Sequence, residues 1–260
     1  MNKTSFAIGC LVQWYECDII EEYLSTLSKA VKLYEGNVLV DINIAAGQDL
    51  EKAVSPEAYD KCLNSIRLIC NRQGFNVTTT LGITTISDYR REFNTRYCEL
   101  ADVLIWGESD MLVPSQIFSA LNILHSNVSS PKYLATFGIC KMWDNSWKML
   151  EHPKFTDKPF IENDYDNWWS VKYTMTAEEM EEINRGAQDL GVVRLPQHKF
   201  NGCGLVISSE VIKAGVNIPQ SVFFVHEDTA FMLMTQKVLG NIPQYIIKNI
   251  LVVHNRNHPK

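Results

Sequence analysis

The stretch Ala101-Asp-Val-Leu-Ile-Trp-Gly-Glu-Ser-Asp-Met-Leu-Val-Pro114 decides the reading: an apolar run, Val103–Trp106, ends in two carboxylates one residue apart, Glu108 and Asp110. Open α/β sheets collect their ligands at the carboxyl ends of strands, so acids placed there stand where a site is expected. Carboxylates with this spacing can hold a hard divalent cation, which in turn can neutralise a diphosphate. A structural role fits the same residues, with Ser109 capping a helix that Pro114 begins. The residues alone leave both readings open.

Working outward, the strand is one of several. Phe6–Val12 and Val38–Ile44 are short apolar runs, each followed by helical spacing, over Asp18–Leu33 and Tyr59–Cys70. A further helix is predicted over Ile86–Leu100, before the deciding strand. Alternation of this kind builds βαβ units and a mainly parallel sheet. Past Pro131 the texture changes. Tyr133–Cys140 reads as a strand, but Trp143–Trp169 holds four of the six tryptophans among Pro, Asp and Asn, without a period. Long irregular segments of this kind in a compact domain are usually binding loops. An acidic helix at Ala177–Ala187, a strand at Gly204–Ile207, a helix over Thr229–Leu239 and a strand at Ile246–Val253 complete the expectation.

The whole suits one domain built on one sheet. Hydrophobic residues make up 46% and charged residues 21% of the 260 residues, an ordinary globular balance. The formal net charge of −6 gives no overall attraction to nucleic-acid backbones or anionic lipid. Seven cysteines, none in a CxxC pair, suggest neither a disulfide framework nor a zinc knuckle, and fit a reducing cytoplasm. Neither a signal peptide nor a run of membrane-spanning length is read, so the Asn-x-Ser/Thr triplets at Asn2, Asn76 and Asn127 are taken as chance.

Other segments carry ionisable groups in apolar settings. In Phe223-Phe-Val-His-Glu-Asp-Thr-Ala-Phe231, Glu227 and Asp228 open a helix, where carboxylates also interact well with unpaired N–H groups. Ser87-Asp-Tyr-Arg-Arg-Glu-Phe-Asn94 presents Arg90 and Arg91. Phe200-Asn-Gly-Cys-Gly-Leu-Val-Ile-Ser208 contains Gly202 and Gly204, which allow close backbone approach. The tail Ile250-Leu-Val-Val-His254 ends an apolar run in an imidazole.

In this order the segments resemble the GT-A glycosyltransferases, particularly the family-2-like group, and the chain as a whole is similar to glycosyltransferases of tailed phages and marine bacteria. The resemblance implies an α/β, Rossmann-like nucleotide-sugar-binding fold with a mostly parallel central sheet flanked by helices. Residues 1–115 would bind the nucleotide sugar and 116–260 the acceptor. Glu108-Ser109-Asp110 stands in place of the family's DxD motif, with Glu in the first position. Asp110 would bind Mn²⁺ or Mg²⁺, Glu108 the metal or the ribose, and His254 would be a third metal ligand. Gln13, Trp14 and Tyr15 would clasp the base, with Asp41 after the second strand. Arg90 or Arg91 would approach the diphosphate, and Gly202 and Gly204 the donor sugar. Asp228 would be the general base of an inverting transfer and Glu227 an acceptor-positioning neighbour. Trp168 and Trp169 would contact the acceptor. The donor would be UDP- or GDP-linked, and a modified DNA base is a conceivable acceptor that the acidic balance does not support.

Two rivals remain at this point. A sugar nucleotidyltransferase would need a glycine-rich, lysine-bearing loop after the first strand, and Cys10–Asp18 has neither residue. A non-catalytic carbohydrate-binding protein would also use an aromatic loop.

Overall fold

The computed structural model of the chain describes residues 3–13, 16–45, 56–80, 84–141, 176–186, 190–195, 200, 202–223 and 226–254. The expected aromatic loop Trp143–Trp169 lies outside them, as do Trp14, Tyr15, Trp168 and Trp169.

Among the described residues the strands are β1 (Phe6–Gln13), β2 (Val38–Ala45), β3 (Asn76–Thr80), β4 (Val103–Trp106), β5 (Leu134–Lys141), β6 (Val192–Leu195), β7 (Leu205–Ser208) and β8 (Gln244–His254). They form one sheet in the order β3-β2-β1-β4-β7-β5-β8-β6. The first four are parallel neighbours, as expected. β7 then enters antiparallel between β4 and β5, while β8 runs parallel to β5 and antiparallel to β6. The helices are α1 (Cys17–Leu33), α2 (Pro56–Gln73), α3 (Ile86–Tyr97), α4 (Ile117–Asn127), α5 (Ala177–Arg185), α6 (Ser209–Lys213) and α7 (Glu227–Leu239).

Alternation along β1 explains the layers. Phe6, Ile8, Cys10 and Val12 join a core with Ile20, Leu24 and Leu27 of α1, Ile66 of α2 and Phe118 and Leu121 of α4. Ala7 and Leu11 face the other way, onto Phe93 of α3, Val211 of α6 and Phe231 of α7. Successive strand side chains point to opposite faces, so a strand apolar on both sides can only be covered by helices on both sides. Each large side chain sealed in this way contributes about 1.5–3 kcal/mol.

β3 escaped the sequence reading because Asn-Val-Thr-Thr-Thr has no apolar period. A polar ladder explains it: Asn43 on β2 donates its amide to Thr78 Oγ1 at 2.8 Å and Thr80 Oγ1 at 3.0 Å. α3 begins where Thr85 Oγ1 accepts from Asp88 N at 3.1 Å, a cap worth about 1 kcal/mol. No helix among the described residues is long and apolar enough to cross a membrane. Cys10, Cys70, Cys98 and Cys203 keep reduced thiols. Cys62 is disulfide-bonded.

Candidate functional site

The carboxyl end of β4 is continued by a short, well-tied turn. Gly107 N donates to Gly9 O at 2.8 Å, Met111 N closes a turn on Glu108 O at 3.0 Å, and Leu112 N donates to Val253 O at 2.9 Å. The last bond belongs to an isolated antiparallel bridge between Leu112 and Val253. The segment after Asp110 is therefore stapled to the end of β8, one residue before His254. This bridge brings together acids and an imidazole roughly 145 residues apart in sequence.

His254 Nε2 lies 2.6 Å from Glu108 Oε2 and 3.8 Å from Asp110 Oδ1. Cys203, at the entry to β7, completes a group: its Sγ, a Glu108 oxygen and a His254 ring nitrogen all lie within 4.8 Å of one another. Cys203 is fully buried, whereas the Glu108 side chain keeps 24% of its surface exposed. A carboxylate, an imidazole and a thiol so grouped, with Asp110 beside the imidazole and the Glu108 side open, fit a divalent cation.

Behind Glu108 stands Arg90, 2% exposed. Its Nη2 donates to Glu108 Oε1 at 2.6 Å and its Nη1 to Glu227 Oε1. The guanidinium carbon sits 4.7 Å from the centre of the Trp106 ring, whose Nε1 donates to Asn94 at 2.9 Å. Gly202 forms the opposing wall, where a Cβ would overlap the Arg90 guanidinium. Burial by itself would raise the Glu108 carboxyl, but His254 and Arg90 outweigh it and hold that carboxyl well below the usual carboxylate range. For Glu227 the balance is reversed: burial dominates and its carboxyl is raised, although Arg90 pulls it down.

Glu227 and Asp228 are the first two residues of α7. Asp228 Oδ1 accepts from Thr229 N at 2.6 Å, and its side chain is half-buried. The residue before them, His226, has φ +63°, a left-handed conformation rare outside glycine and asparagine. Strained backbone of this kind concentrates where a chain must present particular groups.

Several expected contacts are placed differently. Asp41 is not at the end of β2 but within it, in register with Gly9, and is 1% exposed. It accepts from Asn76 Nδ2 at 2.7 Å, Tyr97 Oη at 3.0 Å and Tyr89 Oη at 3.1 Å, with Arg96 at 3.8 Å. A carboxylate so surrounded is a satisfied core group. Arg91 turns to the 218–222 loop, donating to the carbonyls of Ile218, Pro219 and Val222 at 2.9–3.0 Å, with Asp88 at 2.6 Å. Arg90 is buried among carboxylates. Both arginines thus have protein partners, because a buried charge needs them. Gly202 abuts Arg90. Gly204, at φ +68°, makes the turn into β7 and donates to Trp106 O at 2.8 Å.

Gln13 ends β1, and its N–H donates to Glu16 at 2.7 Å. Glu16 and Cys203 were both missed in the sequence reading. Glu16 directly follows Gln13-Trp14-Tyr15, and Cys203 sits between the two glycines, so each lay inside or beside a segment already singled out. Burial pushes the Glu16 carboxyl up to about 7, against hydrogen bonds from Gln13 N–H and the Ser109 side chain, while Asp110 and Glu108 add like charge. Its place is therefore at the rim of the acidic group.

No family profile matches the sequence, and no curated protein is similar to it at the sequence level. Solved structures are similar in fold. Staphylococcus aureus TarS 1–349 in complex with UDP-GlcNAc matches with a TM-score of 0.60 over 98% of this chain and 60% of its own, at 8% identity. TarS 1–349 without that ligand gives 0.58 over 96% and 60%, also at 8% identity. GalNAc-T7 with UDP, GalNAc and Mn²⁺ gives 0.54 over 97% and 44%, at 12% identity. The chain thus spans about 60% of the length of TarS 1–349 and less of GalNAc-T7. The fold is the GT-A fold of these glycosyltransferases.

Proposed function

We propose that the chain is a glycosyltransferase that moves a sugar from a nucleotide-sugar donor to an acceptor hydroxyl. The observation that carries this is the convergence of Glu108, Asp110 and His254 beside the Glu227–Asp228 helix start, in a GT-A fold. The structural neighbours support a UDP-linked donor, since TarS is seen with UDP-GlcNAc and GalNAc-T7 with UDP. Residues 1–115 take the donor and 116–260 the acceptor, with Trp168 and Trp169 contributing on the acceptor side.

Glu108, Asp110 and His254 are suited to hold Mn²⁺ or Mg²⁺. Such a cation, when bound, supplies charge neutralisation to a nucleoside diphosphate leaving group. Asp228 accepts the proton of the attacking hydroxyl, while the anomeric carbon loses its bond to the phosphate oxygen and gains one to the acceptor oxygen. A base on the acceptor side makes the transfer inverting. Glu227, held by Arg90, orients the acceptor beside it. Arg90 keeps Glu108 ionised and aimed.

Asp228→Asn tests the assignment, because the amide keeps the shape and still accepts the Thr229 bond but cannot take a proton. Release of UDP from UDP-sugars, with hydroxyl acceptors or water, is expected to slow by at least about a hundredfold, with melting and donor affinity near native. Near-native turnover would remove Asp228 as the base. Donor binding without turnover in the unaltered chain would favour a carbohydrate-binding role instead.

A further inference from the structure

We infer that Cys203 is a ligand to the cation held by Glu108 and His254, so that the site selects a borderline transition metal such as Zn²⁺ or Co²⁺ over Mg²⁺. The inference rests on the reading of Glu108, Asp110 and His254 as a cation site, and adds to it the fourth donor and the metal class.

The geometry comes first. One oxygen of Glu108, one ring nitrogen of His254 and the sulfur of Cys203 lie within 4.8 Å of each other. Ligands around a tetrahedral zinc stand roughly 3.3–3.8 Å apart, given bond lengths of about 2.0–2.3 Å. Small side-chain adjustments therefore bring these atoms to ligand spacing. Glu108 and His254 are already in direct contact through Oε2 and Nε2 at 2.6 Å, and a metal replaces the proton between them. The backbone fixes the thiol. Cys203 follows Gly202, which is wedged against Arg90, and precedes Gly204, whose N–H is bonded to Trp106 O, so the sulfur is delivered from β7 to the end of its neighbour β4.

Donor chemistry then sets the metal. Mg²⁺ prefers an all-oxygen octahedron and keeps its waters, whereas thiolate and imidazole favour Zn²⁺ and Co²⁺. Binding requires the thiol to lose its proton to solvent, which makes uptake weaker at low pH. Full burial of Cys203 limits competing oxidation, and the exposed edge of Glu108 leaves a route of entry.

The test uses the full chain stripped of metal. Zinc K-edge absorption of the unaltered protein is expected to show a Zn–S distance of about 2.3 Å. Cobalt is expected to give a near-ultraviolet thiolate-to-metal band that is lost in Cys203→Ser, whose fold is checked by circular dichroism. Zn²⁺ affinity in that variant is expected to fall by at least about tenfold, the lower bound even for outer-shell partners, with Mn²⁺ affinity little changed. Cation binding with no Zn–S path overturns the role of Cys203 and leaves the acid–histidine site standing. Failure of every cation to bind overturns both.

Discussion

Replacing Arg90 by methionine removes one guanidinium from between two carboxylates and tests whether that cation organises the site. Arg90 is 2% exposed, donates to Glu108 and Glu227, and lies on the Trp106 ring. Methionine keeps much of the volume, so the cavity contribution is small and the effect is chiefly electrostatic. Removing one partner of a buried ion pair costs about 3–5 kcal/mol, because the charge left behind has lost its compensation. Loss of the desolvated cation–π contact adds up to about 2 kcal/mol. The unpaired carboxylates relieve part of this by taking up protons, so a net loss of about 3–5 kcal/mol at neutral pH is expected. The pH sign is fixed. Arg90 helps hold Glu108 low, so its stabilisation is present above the ordinary glutamate pKa and lost as pH falls through the folded value. The gap between the two proteins should therefore narrow on acidification. Urea denaturation in chelator at a series of pH values measures it. Arg90→Met combined with Glu227→Gln should recover part of the loss, since the two residues are coupled. A single variant within about 1 kcal/mol of the unaltered protein at neutral pH would refute the reasoning, placing the result in the range of exposed pairs.

Gly202→Ala pushes a Cβ into the Arg90 guanidinium and should cost about 1–3 kcal/mol by overpacking, with little further loss when Arg90→Met is already present. A Gly202→Ala melting temperature equal to native would show that Arg90 has room to move. Glu16→Gln should remove a penalty that, in metal-free buffer, is absent below the ordinary glutamate pKa of about 4.5 and complete above about 7. The variant should therefore be more stable at neutral pH by on the order of 1–3 kcal/mol, with a flatter profile between these values, measured by thermal melts in chelator. Asp110→Asn should weaken Mn²⁺-dependent nucleotide binding by at least about tenfold in calorimetry while leaving the melting temperature near native, and unchanged affinity would remove Asp110 from the cation site.

In the N-terminal half β1, β2 and β4 were legible because each carries an apolar run and the intervening helices keep a helical period. Val103–Trp106 was placed to the residue, and Cys17–Leu33 within one. Less legible were elements held by polar ladders or by neighbours distant in sequence. Val192–Leu195 is four residues long and, among the described residues, pairs with β8 alone. The chemistry of the acids was readable at Glu108 and Asp110, where strand and carboxylates adjoin. The partners of Asp41 were not legible, because Tyr89, Tyr97 and Asn76 come from α3 and β3, and nothing local marks a carboxylate as already satisfied. The ion pairs of Arg90 were hidden for the same reason: its carboxylate partners lie 18 and 137 residues away. Cys203 carried no signal alone, and only the approach of β7 to β4 gives its sulfur company.

The staple between Leu112 and Val253 also bears on synthesis. Ribosomes deliver chains from the amino end, and domains fold as their segments emerge. The β3-β2-β1-β4 region can pair early, and β7 can dock on β4 once it emerges. β5 and β6, however, meet only through β8, and His254 is the last residue of that strand. A nascent chain stopped before it has its acids and no imidazole beside them, and its Leu112 N–H has no carbonyl to meet. The junction of acids and imidazole thus arises late in translation, after the sheet is closed, and a truncated product would carry most of the fold while lacking it.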